Sequence, residues 1–364
     1  MDILKGFFKG EYATDTNLTA ETDLREDLWL DYLGLEELHA YLQEQFPSFK
    51  SVKMDDVHTL GDLLKLLPKQ QTISKPSSSS AVSSVPVRSP EAFKLWFPLV
   101  IDRFKEKRQT DADKAVPMIS FYHAGGMVAN MRAFSKELDA VTGTLAVNPM
   151  WVELPGRGVR GKEALCSSCK DTSAEIAAVV ASQVLRGDAK RSFFVFGHSV
   201  GTLHAFEVTR ELQKLGFVPK ALIVMNRQAP QIPMDQPEDN FTEGLSDEQF
   251  ISKMSKEYGQ KTLLDMWKSN PEIVRAGIPA TRADMKTLTS YRLENGADKL
   301  ECPVLAVVSA KDRPSNSESN VAAWRHVTNG AFELHNAPGG HFAFTDEPKT
   351  VMPWLGKQLQ HFAK

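Results

Sequence analysis

With 364 residues, 42% of them hydrophobic, and a formal net charge of −3, the chain has the size and composition of one large globular domain plus a small one. No apolar stretch approaches the roughly 18 residues of a membrane span, and Met1-Asp2-Ile3-Leu4-Lys5 does not open a secretion signal, so a cytoplasmic protein is expected. Cys166, Cys169 and Cys302 are too few, and odd in number, for a disulfide framework, and no block of Lys/Arg interleaved with aromatics marks a nucleic-acid binder.

The charge is unevenly spread. Residues 1–67 carry 14 acidic and 6 basic side chains, a local balance of −8 that leaves +5 for the rest. Within them Leu33, Leu35, Leu38, Leu42 and Phe46 recur at helical spacing, as do Leu60, Leu63, Leu64 and Leu67, with Thr59 and Asp62 placed to cap the second run. A small helical bundle is the expected fold of this segment. Residues 68–90, PKQQTISKPSSSSAVSSVPVRSP, have no apolar periodicity and read as a Ser/Pro-rich linker. Residues 91–364 alternate β-like runs with helical patterns: Met118–Tyr122, Leu145–Val152, Phe193–Phe196, Ala221–Met225, Val304–Ser309 and Ala331–His335, then a helix near Thr350–Phe362. That alternation predicts an α/β fold with a mostly parallel sheet covered on both faces.

The third β-like run leads into Gly197-His198-Ser199-Val200-Gly201, followed by a helical segment, Leu203–Leu215. Strand, sharp turn and helix are the setting of a nucleophile elbow, in which flanking glycines let the backbone turn and lift the Ser199 hydroxyl above the sheet. A serine hydroxyl is a weak nucleophile at neutral pH and needs a base, which an acid must orient. Such elbows are followed in the chain by the acid and then the histidine. Asp312 follows the Val304–Ser309 run, and His341 follows Ala331–His335 in Pro338-Gly339-Gly340-His341-Phe342. The rivals are weaker: Asp346 lies past the histidine, Asp284 lies in the insertion before the late strands, and His335 is on a strand rather than after one. Backbone N–H groups must stabilise the oxyanion. Val200, the residue after the nucleophile, supplies one; Ala124, in Tyr122-His123-Ala124-Gly125-Gly126 after the first strand, is the expected second, with His123 shaping that loop.

Three other patterns carry less. Gly156-Arg157-Gly158-Val159-Arg160-Gly161 fits G-x-G-x-x-G, but the next helical pattern starts only near Thr172, too far on to cradle a pyrophosphate. Cys166-Ser167-Ser168-Cys169 lacks the second pair or histidines of a zinc site. Asn17-Leu18-Thr19 and Asn240-Phe241-Thr242 match a glycosylation pattern that matters only in a secreted protein. No cofactor and no metal ion is expected.

Six motifs occur in a telling order: His123-Ala124-Gly125-Gly126, Leu154-Pro155-Gly156-Arg157, Gly197-His198-Ser199-Val200-Gly201, Ala229-Pro230-Gln231, Arg282-Ala283-Asp284 and Pro338-Gly339-Gly340-His341-Phe342. In order and spacing the chain resembles type II thioesterases over nearly all of residues 117–362. The resemblance implies an α/β-hydrolase fold and hydrolysis of acyl groups from the phosphopantetheine thiol of acyl carrier proteins in fatty acid or polyketide synthesis. Ser199, His341 and Asp312 would be the triad. It also implies a helical lid, at about residues 235–290, whose Phe250, Met254, Leu263, Leu264, Met266 and Trp267 would either line an acyl channel or pack the lid onto the body.

The N-terminal segment resembles an acyl carrier protein across Thr22–Leu28, Asp31–Leu38 and His58–Leu63, with one departure: Tyr32 stands where carriers have the serine that receives phosphopantetheine. Alternatives left open are an acyltransferase or small-ester esterase using the same triad, and a non-catalytic adaptor binding synthase carriers.

Overall fold

The computed structural model describes residue 42 and residues 57–66, 88–98, 115–234, 244–259, 261–294 and 296–364. Two compact units divide the chain, Met1–Ser80 and Ala81–Lys364. Tyr32, the leucine run from Leu33 to Leu38 and most of the Ser/Pro-rich stretch lie outside the described residues.

In the first unit, helix α1 (Leu60–Leu66) buries Leu60 and Leu63. Its start is capped reciprocally: Thr59 N–H donates to Asp62 Oδ2 (3.1 Å) and Asp62 N–H to Thr59 Oγ1 (3.3 Å), satisfying two of the donors a helix end leaves open. Hydrogen bonds from Lys65 and Thr59 hold the Asp62 carboxyl at about 2.

The second unit opens with helix α2 (Pro90–Trp96), whose Ser89 cap accepts from Ala92 N–H. Arg88 pairs with Glu175 (2.8 Å) and its N–H donates to Ser182 (3.2 Å). The last residues of the Ser/Pro-rich stretch are thus held on the body, because Ser-Pro is itself a helix-start signal: the missing proline N–H falls where a helix has no use for one.

Six strands follow: β1 (Val116–Phe121), β2 (Val147–Trp151), β3 (Phe194–His198), β4 (Leu222–Met225), β5 (Val304–Ser309) and β6 (Phe332–Ala337), each within two residues of its expected bounds. All pairs are parallel, in the order β2-β1-β3-β4-β5-β6. Between the strands run helices α3 (Arg132–Val141), α4 (Cys169–Val179) and α5 (Gly201–Lys214), then three further helices, α6 (Asp247–Tyr258), α7 (Lys261–Ser269) and α8 (Pro271–Ser290), and finally α9 (Met352–Phe362).

Strands β1, β3, β4 and β5 are apolar throughout because both faces of the sheet are covered. Helices α3 and α9 pack on one another, as do α4 and α5. Right-handed crossovers place these pairs on opposite faces, since the strand order reverses between β1 and β3. On the α3 face Phe134 meets Phe196, Trp151 and Phe344 at ring distances of 4.9, 5.3 and 5.5 Å. The reversal has a functional consequence: the loops leaving β1 and β3 diverge and open a crevice at the carboxyl ends of the strands, where ligands bind in sheets of this kind.

Candidate active site

Ser199 sits at that crevice, directly after β3, with φ of +55°. A non-glycine residue in this region is strained by about 1–3 kcal/mol, and such strain gathers at functional sites. The flanking glycines have distinct steric reasons. A Cβ on Gly197 would lie 2.5 Å from the Gly201 carbonyl oxygen, and one on Gly201 would lie 2.5 Å from the carbonyl oxygens of both Phe121 and Tyr122. Backbone blocks both positions, so α5 approaches β1 and β3 this closely only with hydrogen in place of a side chain. The Ser199 N–H donates to Met225 O at 3.0 Å, tying the elbow to β4.

The loops after β5 and β6 are laced together by Ala310 N–H to Ala337 O (2.8 Å) and Lys311 N–H to Gly339 O (3.0 Å). This brings Asp312 and His341 into contact, with His341 Nδ1 2.9 and 3.0 Å from the two carboxylate oxygens and both side chains almost wholly buried. Gly339 is needed for its neighbour Ala343, whose Cβ a side chain would meet at 2.7 Å, while Gly340 faces open space. The Asp312 carboxylate also accepts from Arg313 N–H (2.7 Å) and Asn316 Nδ2 (3.0 Å). Among the described residues the Ser199 hydroxyl makes no hydrogen bond, so the structure joins His341 to Asp312 and leaves the serine–histidine contact open. In ligand-free sites that contact commonly tightens only when substrate arrives.

Three histidines crowd the crevice, and their surroundings tell them apart. His198 Nε2 donates to the His341 carbonyl (2.9 Å), beside Asn226 Nδ2 on the same oxygen (2.7 Å). Burial, reinforced by His341 and His123, pushes the His198 imidazole well below its ordinary range. Burial followed by the nearby His341 lowers His123 to about 3. Both stay neutral, and only His341 has a carboxylate to stabilise a positive charge. His123 packs edge-on against Phe342 (4.9 Å) as a loop-shaping residue. His335 lies within β6, stacked on Trp354 at 4.9 Å with Nε2 bonded to Thr350 O (2.8 Å).

The N–H groups of Val200 and Ala124 donate to no acceptor among the described residues. The next amide in the β1 loop, that of Gly125, is occupied by Asp284 Oδ2 at 2.8 Å. Asp284 lies on α8, far from the acid position, in a bidentate ion pair with Arg157 (2.8 and 2.9 Å). Asp346 is exposed and accepts only from Thr345.

Sequence reasoning missed Asn226 and Asn316. Asn226 carries φ of +54° just beyond β4 and holds the His341 carbonyl, while Asn316 bridges Asp312 to Asn226 O (3.0 Å). A lone Asn after a strand is the faint signal that was available, since Asn tolerates the left-handed region.

Helices α6, α7 and α8 form a lid with its own apolar cluster, in which Phe250 and Met254 are buried together with Val200 and Leu203, the first residues past the serine. Leu263, Leu264 and Trp267 pack against that cluster; Met266 is 46% exposed and does not. Gly158 and Arg160 of the G-x-G-x-x-G segment belong to a single 3₁₀ turn, and a Cβ on Gly158 would strike the Glu153 carboxylate. Helix α4 begins at Cys169, three residues before the expected Thr172 and still remote from those glycines. The three cysteines are free thiols.

A strained serine on a strand–turn–helix elbow at the switch point of a parallel sheet, with a histidine–carboxylate pair from the later loops, defines an α/β-hydrolase. Residues 116–358 match the family described as "Thioesterase domain"; the chain belongs to that family and is a hydrolase acting on thioesters. It is 31% identical over 236 residues to "Thioesterase PikA5" of Streptomyces venezuelae, covering 65% of this chain and 78% of the relative. To "Gramicidin S biosynthesis protein GrsT" of Aneurinibacillus migulanus it is 30% identical over 210 residues, 57% of this chain and 77% of the relative. It also superposes on the structure of "the type II thioesterase BorB from the borrelidin biosynthetic cluster" with a TM-score of 0.56 and 26% identity, covering 67% of this chain and 93% of that one. No described helix is long and apolar enough to cross a membrane.

Proposed function

We propose that the protein hydrolyses acyl groups from the phosphopantetheine thiol of carrier proteins through a Ser199–His341–Asp312 acyl-enzyme mechanism. The observation that carries it is the contrast among the three crevice histidines: only His341, bonded to Asp312, can take up a proton beside a strained serine. His341 Nε2 removes the Ser199 hydroxyl proton as the oxygen attacks the thioester carbonyl. The N–H groups of Val200 and Ala124 stabilise the resulting oxyanion. The carbon–sulfur bond then breaks, and the thiolate leaves with the proton from His341. Water, deprotonated by His341, attacks the acyl-serine; the Ser199 oxygen departs with that proton, and the free acid is released. Asp312 holds the imidazole with its proton on Nδ1, so that Nε2 faces the serine.

The relatives named for polyketide and peptide antibiotics support carrier-bound chains of such synthases as substrate. Residues 1–67 are proposed as a carrier-like domain that Tyr32 keeps from being loaded, joined through 68–90 to a hydrolase domain over 91–364. A panel of acyl carrier thioesters given to the wild type and to Ser199→Ala tests the proposal. Hydrolysis by the wild type should vanish in the variant, and thioester turnover persisting without the Ser199 hydroxyl would refute it.

A further inference from the structure

The lid helix α8 does more than cover the crevice. Within one turn it presents Thr281 and Asp284 to the β1 loop: a Cβ on Gly125 would collide with Thr281 Oγ1, and the Gly125 N–H donates to Asp284 Oδ2 (2.8 Å). The loop itself is a tight turn, closed by Gly126 N–H to His123 O (3.0 Å), with Gly125 at φ +72°. Arg157, from the loop after β2, completes the assembly. Its guanidinium grips both Asp284 oxygens and also donates to Gly126 O (3.2 Å). Both side chains of the pair are at most 3% exposed.

The consequence is geometric. Of the amides leaving the turn, Gly125 is committed to the lid and Gly126 to closing the turn, which leaves Ala124 N–H as the one facing substrate from this loop. Rotating the Ala124–Gly125 peptide plane would spoil the Gly125 bond to Asp284. That peptide is therefore held by a residue of the lid, more than 150 residues away in the chain. Buried in low dielectric, a bidentate Arg–carboxylate pair is directional as well as strong, so it locks orientation rather than merely attracting.

We propose that Asp284 and Arg157 are positioning residues that make the oxyanion-binding loop depend on the lid: Ala124 N–H is aimed at the reacting carbonyl only when α8 is seated. An acyl chain that seats the lid thereby completes the catalytic apparatus, and an unseated lid leaves the enzyme with a misdirected donor. This inference rests on the thioesterase function proposed above.

The test uses the full chain and an octanoyl-pantetheine thioester. Asp284→Asn keeps the shape of the side chain but removes its charge; Arg157→Lys keeps the charge but loses the two-pronged grip. Both variants should lose about tenfold or more in kcat while KM stays within about twofold, since the misplaced donor acts on the transition state and not on substrate binding. Affinity for an octyl boronic acid, which forms a tetrahedral adduct with a serine, should fall in parallel with kcat. A merely structural role would lower the melting temperature without that parallel. Wild-type kcat in folded Asp284→Asn, with Ser199→Ala inactive in the same assay, would overturn the coupling alone; activity surviving in Ser199→Ala would overturn the function it rests on.

Hydrogen exchange on the wild-type chain reads the same coupling even if a variant fails to fold. On boronic acid binding, the peptides spanning residues 123–126 and 281–284 should gain protection together. Protection of the loop with none in α8 would refute the proposal.

Discussion

Asp312→Asn is the sharpest perturbation of the site, because its result depends on which atoms can change role. Three donors converge on the carboxylate: Arg313 N–H, Asn316 Nδ2 and His341 Nδ1. The first is backbone and always donates. The second is fixed in orientation, since Asn316 Nδ2 also donates to Asn226 O (3.0 Å) while its Oδ1 accepts from Gln228 N–H (3.1 Å). An asparagine at 312 has one accepting oxygen and one donating nitrogen, and only the imidazole can adapt to that nitrogen. His341 then accepts at Nδ1 and carries its proton on Nε2, toward the serine, where it cannot act as a base.

Replacing the acid of a serine triad by its amide in this way costs about 10⁴ in kcat, or roughly 5.5 kcal/mol at 1.36 kcal/mol per tenfold. Substrate binding is untouched, so KM should hold within about threefold. Steady-state hydrolysis of an acyl-pantetheine thioester near neutral pH, with a thermal melt to show that the variant is folded, measures this. A folded Asp312→Asn retaining more than a tenth of wild-type kcat would show that Asp312 does not set the tautomer of His341. The same assay on Asp346→Asn should give wild-type rates, because that carboxylate is exposed and remote from the histidine.

Other outcomes follow from single features of the fold. Gly201→Ala places a methyl 2.5 Å from two backbone carbonyl oxygens, which no rotamer relieves; the melting temperature should fall by roughly 3–10 °C, for about 1–3 kcal/mol of overpacking, and an unchanged melt would refute the close approach. His204, on α5, is buried, has no hydrogen-bond partner at either ring nitrogen among the described residues, and is lowered to about 3 by burial and then by Arg157. An imidazole kept neutral when folded but free to protonate when unfolded stabilises the protein fully above pH 6.5, and that contribution is lost as pH falls from there toward 3. The loss is about 1.4 kcal/mol per pH unit; urea unfolding at pH 7.5 and 5.5 should show it, and a His204→Leu chain with the same pH dependence as wild type would contradict it. Tyr32, finally, predicts no mass gain when the full chain is incubated with a phosphopantetheinyl transferase and coenzyme A; an added phosphopantetheine lost in Tyr32→Phe would overturn that.

Much of the hydrolase was legible before any coordinates. Fully apolar runs bounded by turn residues mark buried parallel strands, and a serine between glycines at the end of one marks an elbow, because the backbone there has few other options. Residues whose role comes from distant partners were not legible. Asp284 was weighed only as a rival acid, and nothing around it in the chain announces a bond to Gly125. Asn226 and Asn316 are unremarkable polar residues until the His341 loop folds onto them. Arg88 and Ser89 were counted with the linker because composition, not contact with Glu175 and Ser182, was all that could be read.

What the chain determines by itself is local: where strands lie, which serine is forced into a strained turn, and the order in which acid and histidine follow. Tertiary structure decided which groups share a pocket, and so which of three histidines carries a proton and which amide is left free for an oxyanion. The division has a physical origin. Backbone sterics and apolar periodicity act over a few residues, whereas desolvation and ion pairing depend on what arrives from a hundred or more residues away.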